Sequence, residues 1–167
     1  LELFKRAGIP VPIVSGGGTP QLPGVDRFPM LTEHRAGTCV YNDVMVVRAG
    51  GATWADCAMR VRATVVSRPH NTRAIVDCGT KVLTSDQYGT PGHGHVLEYP
   101  EAAITGLSEE HGVVDLSKCP ERPQVGEVVN VVPNHCCVVS NMVDEVVGVR
   151  GDQVEIVWPV AARGKVR

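Results

Sequence analysis

Met59-Arg60-Val61-Arg62-Ala63-Thr64-Val65-Val66-Ser67 decides the fold class. As far as Val65, apolar side chains fall on odd positions and mostly polar ones on even positions. A strand that buries one face and wets the other needs this period of two. A turn signal follows at Pro69-His70-Asn71, and Arg73-Ala74-Ile75-Val76-Asp77-Cys78 reads as the partner strand. Further strand candidates lie at 95–99, 127–132, 145–149 and 153–160. Arg150-Gly151-Asp152 joins the last two as a hairpin. Valine is abundant and no long helical period occurs after residue 54. Residues 51–167 are therefore expected to form an all-β domain, a small barrel or sandwich.

Toward the amino terminus the pattern changes. Leu1 to Ala7 suits the end of an amphipathic helix stopped by Gly8 and Pro10. Val11-Pro12-Ile13-Val14 is a short apolar run entering Ser15-Gly16-Gly17-Gly18-Thr19-Pro20, as a buried strand enters the loop of a βα unit. Residues 24–31 look irregular. Gly37 to Tyr41 predicts a second short strand ending at Asn42-Asp43. Two βα units cannot close a parallel barrel, because strand edges and apolar faces stay uncovered. The expected partner is a missing amino-terminal barrel segment.

Composition excludes several classes. The net charge is −2 and the pI about 6.3, with no basic stripe for nucleic acid or polybasic face for a membrane surface. No apolar run approaches the ~20 residues of a membrane span, and the first residues carry no secretory h-region. The six cysteines are expected as reduced thiols in a cytoplasmic protein, since a chain of this length needs no disulfide staples.

Three segments could carry chemistry. In an extended Pro133-Asn134-His135-Cys136-Cys137, positions i and i+2 share a face, so His135 and Cys137 project together. Imidazole and thiolate are zinc ligands, and two protein ligands leave open positions that suit a catalytic ion. A hydrogen-bonded histidine beside a packed thiol at a strand end also fits this short and common spacing. In Ser15-Gly16-Gly17-Gly18-Thr19, glycines after a strand let backbone N–H groups approach a phosphate, although a lone glycine run also makes a plain turn. Gly92-His93-Gly94-His95, Ser108-Glu109-Glu110-His111 and Asp77 with Lys81 offer proton-carrying groups, each equally at home in a solvated loop or a surface ion pair.

Taken in order, Ser15–Pro20, Thr32–Asp43, Val65–Pro69, Ile75–Lys81, Leu107–Gly112, Pro133–Cys137 and Val160–Gly164 resemble successive blocks of the D-serine dehydratase / D-threonine aldolase family. That family belongs to the alanine-racemase-like fold type of pyridoxal-phosphate enzymes. The resemblance implies a mainly β chain. In it, a carboxyl-terminal β-barrel domain with the metal site (51–167) follows the last βα units of an incomplete (βα)8 cofactor barrel (1–50). It implies pyridoxal 5'-phosphate contacts at Gly17, Gly18, Thr19 and Tyr41, with Tyr41 at the end of the last barrel strand. It implies His135 and Cys137 as catalytic metal ligands for zinc or another divalent ion.

The implied reaction of the complete protein is β-elimination from D-serine or a related β-hydroxy D-amino acid, giving a keto acid and ammonia. Retro-aldol cleavage of the D-threonine aldolase type is the alternative, as is a non-catalytic metal-binding β module. Cys137 leans toward the dehydratase, since some aldolases carry an acidic residue there. The family's Schiff-base lysine precedes the blocks seen here, so these 167 residues alone are expected to be inactive. A homodimer is the implied assembly.

Overall fold

Val61, Ala63 and Val65 are buried while Arg62 and Val66 face outward, so the alternation read from the sequence sets the inner face of a barrel. The computed structural model describes residues 1–165. The last two residues of the expected 51–167 domain lie outside the described residues. Helix α1 (Glu2–Arg6) buries no side chain. Strand β1 (Ser15–Gly16) pairs in parallel with β2 (Glu33–His34), and a kinked 3-10 segment, Thr19–Arg27, runs between them. Helix α2 (Val44–Arg48) leads toward the β domain.

That domain comprises β3 (Val61–His70), β4 (Arg73–Val76), helix α3 (Thr80–Leu83), β5 (His95–Val96), β6 (Ala103–Leu107), β7 (Gly112–Asp115) and β8 (Val128–Val132). Helix α4 (Cys136–Ser140) and the strands β9 (Glu145–Arg150) and β10 (Gln153–Pro159) follow.

Six strands form one antiparallel sheet in the order β5-β8-β3-β4-β7-β6. Its two ends come together where the His93 N–H donates to the Ile104 carbonyl at 3.0 Å, so the sheet is nearly closed. Closure hides the edges that an open sheet would expose. Val65, Val76, Val114, Val129, Val131 and Ile104 fill the interior. Strands β9 and β10 make a separate two-stranded ribbon, with Val147, Val149, Val154 and Trp158 exposed. Among the described residues no helix is long and apolar enough to cross a membrane.

Two expected strands are absent. Pro10 and Pro12 lack N–H groups, and Val14 spends its N–H and carbonyl on Thr32 (2.8 and 3.0 Å). Pairing therefore begins only at Ser15. Gly37 to Tyr41 forms a 3-10 turn, Thr38–Val40. There the Cys39 N–H donates to Thr19 Oγ1 at 3.0 Å, and the chain then reverses through Asn42 at φ 53°. Side-chain and turn partners satisfy this backbone in place of a neighbouring strand. Tyr41 consequently caps a turn and does not end a strand.

Candidate functional site

Two short segments latch together where the first fifty residues meet the barrel. The N–H groups of Val44 and Met45 donate to the carbonyls of Pro133 and Asn134, at 3.1 and 3.3 Å. Asp43, fully buried, completes the latch. Its Oδ1 accepts from the Val46 N–H, capping α2, and its Oδ2 accepts from the Cys136 N–H at the start of α4, each at 3.0 Å. The same Oδ2 lies 3.0 Å from His135 Nδ1. One carboxylate thus faces three nitrogen donors from two chain segments, which is how a buried carboxylate avoids a large desolvation cost. Asn-Asp ahead of Val44-Met45-Val46-Val47 is a helix N-cap signal, and it is the sequence feature through which Asp43 could have been found.

His135 is nearly enclosed, its side chain 11% exposed, and the Tyr88 ring lies tilted against it with centroids 4.5 Å apart. With Nδ1 on Asp43, Nε2 makes no hydrogen bond within the described residues. The expected extended His-x-Cys segment is only partly formed. His135 has extended backbone angles, but Cys136 begins a helix, because three carbonyl and carboxylate acceptors at 43, 133 and 134 organise two helix starts there. Cys136 points into the core, and burial, with the Asp43 charge beside it, pushes its thiol pKa up. Cys137 is exposed, with its Sγ 3.9 Å from Thr38 Oγ1. Thr38 is a further neighbour that the sequence reading did not single out.

Asn134, also buried, anchors the approach to the site. Its Oδ1 accepts from the Gly94 N–H at 3.0 Å and its Nδ2 donates to the Gly92 carbonyl at 2.9 Å. This holds the glycine-rich loop that carries Tyr88. His93 and His95 belong to the same loop and its edge, and burial lowers the pKa of both rings. His95 stacks on Trp54 with ring centroids 3.9 Å apart. Glu110 pairs with Lys81 on the surface, and none of these candidates joins His135 in a group of three or more side chains able to hold an ion among the described residues.

The glycine run forms its own corner. Gly17 has φ 74°, a conformation that favours glycine, and a Cβ there would collide with the His34 ring. His34 Nε2 lies 3.1 Å from the Gly18 carbonyl. The Gly17 N–H is uncommitted among the described residues, whereas the Gly18 N–H already donates to Gln21 Oε1 at 3.1 Å. Thr19 is buried, with its Oγ1 accepting from Cys39 and its proton free to donate. Tyr41 is half-buried and packs on the barrel core.

Tested against a phosphate, the corner fits through Gly17 and Thr19, and through Gly18 only after Gln21 swings away. Tested against a divalent ion, the segment offers His135 Nε2 and the exposed Cys137 thiol as candidate donors. No third His, Cys, Asp or Glu joins them among the described residues, so an ion there would keep open positions.

The family model described as "Putative serine dehydratase domain" matches residues 58–149. An uncharacterized protein of Mycobacterium tuberculosis is 39% identical over 128 residues, covering 74% of this chain and 96% of that protein. The crystal structure of D-threonine aldolase from Filomicrobium marinum superposes with a TM-score of 0.81 at 29% identity, over 99% of this chain and 45% of that one. D-threo-3-hydroxyaspartate dehydratase from Delftia sp. HT23 gives 0.78 and 29%, over 95% and 46%. The chain therefore spans under half the length of these two enzymes. Two further structures of such a dehydratase carry alanine for a histidine and for a cysteine two positions further on, the cysteine variant in a metal-free form.

Proposed function

The chain belongs to the serine dehydratase domain family, and from that premise we propose that it is the carboxyl-terminal part of a pyridoxal-phosphate- and metal-dependent lyase acting on a β-hydroxy D-amino acid. The favoured reaction is β-elimination from D-serine or a close relative to a keto acid and ammonia. The observation that carries this reading is His135. Its Nδ1 is bound by a buried carboxylate and its Nε2 is left unengaged, with Cys137 two residues on. The altered histidine and cysteine of the related dehydratase have the same spacing.

On this reading His135 Nε2 and Cys137 Sγ hold the divalent ion, which would supply Lewis acidity at the substrate's β-oxygen. Gly17 and Thr19 hold the phosphate of the cofactor, which would supply the sink for electrons released at Cα. Tyr41 is a further cofactor contact. Asn134 fixes the loop that seats Tyr88 on His135, and the Tyr88 ring limits water at the imidazole. The assembly is a homodimer in the cytoplasm.

Retro-aldol cleavage is the second reading, favoured by the Filomicrobium aldolase structure. The same two ligands would serve both reactions.

Bound metal and products of the complete protein test the proposal. Wild type is expected to bind close to one zinc per chain and to release ammonia and a keto acid from D-serine. His135→Ala is expected to lose both the zinc and the elimination. Dehydratase activity retained by His135→Ala after chelation would refute the assigned role. Glycine and an aldehyde, without ammonia, would select the aldolase reading.

A further inference from the structure

We propose that Asp43 is the positioning residue of the metal site, fixing which nitrogen of His135 faces the ion. The inference rests on the metal reading given above and adds a residue to it. Asp43 Oδ2 lies 3.0 Å from both His135 Nδ1 and the Cys136 N–H. Its Oδ1 is taken by the Val46 N–H at 3.0 Å, so the carboxylate cannot rotate away without exposing a backbone donor. A carboxylate offers acceptors only. The imidazole nitrogen facing it must therefore carry the proton, which leaves the lone pair of the neutral ring on Nε2.

Free imidazole side chains prefer the opposite tautomer, so a fixed acceptor at Nδ1 has a consequence that packing alone would lack. It presents a ligating nitrogen on the side away from Asp43. Asp43 also spans the two segments. It caps α2 from the amino-terminal part of the chain and the start of α4 from the β domain. The orientation of His135 is thereby tied to the docking of those parts.

Cobalt(II) titration of the complete protein, followed by thiolate-to-metal absorption, and long-range proton–nitrogen NMR of the metal-free protein provide the test. Wild-type His135 is expected in the Nδ1–H form. Asp43→Asn is expected to bind cobalt about 10- to 100-fold more weakly with an unchanged far-ultraviolet circular dichroism spectrum. In an amide the NH2 must oppose either the Val46 N–H or the Cys136 N–H, and in the second orientation it also faces His135 Nδ1, so the Nδ1–H form is no longer fixed.

Cobalt affinity of Asp43→Asn within about twofold of wild type would overturn the inference alone. So would an Nε2–H ring in the wild type, a result that does not depend on whether the variant folds. A wild-type protein that shows no thiolate–cobalt band would overturn the metal reading, and this inference with it.

Discussion

Burial pushes the thiol of Cys78 up to about 12 and that of Cys57 up to about 11, from an ordinary value of 9.0. At pH 8 these groups, like the buried Cys136, hold almost no thiolate, whereas Cys137 is open to solvent. Iodoacetamide at pH 8 is expected to label Cys137 first, Cys39 next, and Cys57, Cys78 and Cys136 only on unfolding, read by peptide mass spectrometry. The raised folded values also set a sign for stability. Below pH 9 both states keep these protons and the contribution is complete. From about pH 9 to 12 the unfolded chain loses protons that the folded one retains, so stability falls. Urea midpoints are therefore expected to drop between pH 9 and 11, and less so in Cys78→Ala. Rising midpoints over that range would contradict the assignment. At this scale the sequence singled out His135 and Cys137 as candidates but not Asp43. The link depends on a 92-residue separation closing through a helix cap, and spacing along a chain carries no trace of that.

At the scale of elements, two of the blocks that suggested chemistry turn out to pack on each other. The N–H groups of Thr80 and Lys81, which open α3, donate to the carbonyls of Ser108 and Glu109 in the turn between β6 and β7, at 2.8 and 3.1 Å. Gly79 lies so close to those carbonyls that a Cβ would overlap both. Its φ is an ordinary −107°, so the need for glycine is the close approach and not the backbone angle. Gly79→Ala is expected to destabilise by about 1–3 kcal/mol through this overlap. Gly106→Ala, with nothing near its Cβ, should stay within about 0.5 kcal/mol. Equal urea midpoints for the two variants would refute the distinction. Strands β3, β4 and β8 through β10 were legible because their apolar residues alternate or are bounded by turns. Strands β6 and β7 were not. Thr105-Gly106 sits at a register shift opposite Val113, which breaks the period, and the Ser-Glu-Glu-His turn between them reads as a cluster of active groups.

For the whole molecule, the two tryptophans sit in parts with unequal support. Trp54 stacks on His95 and packs against a small core of Val44, Cys57 and Val132, where the segment before the barrel meets β8. Its surroundings are lost only when the barrel opens. Trp158 is 51% exposed on β10, in a ribbon of two strands that shares no backbone ladder with the six-stranded sheet. Two strands alone are marginal in water, and segments with little buried apolar surface open below the global transition. A chain with one tryptophan at a time should therefore unfold at two places. In Trp158→Phe, Trp54 fluorescence is expected to follow the far-ultraviolet circular dichroism transition. In Trp54→Phe, Trp158 is expected to emit at longer wavelength in the folded protein and to change at lower urea, over a broader range. Coincident transitions would mean that the ribbon is part of the barrel's cooperative unit. Its exposed valines would then need a partner surface within the folded chain that the strand pairing does not reveal.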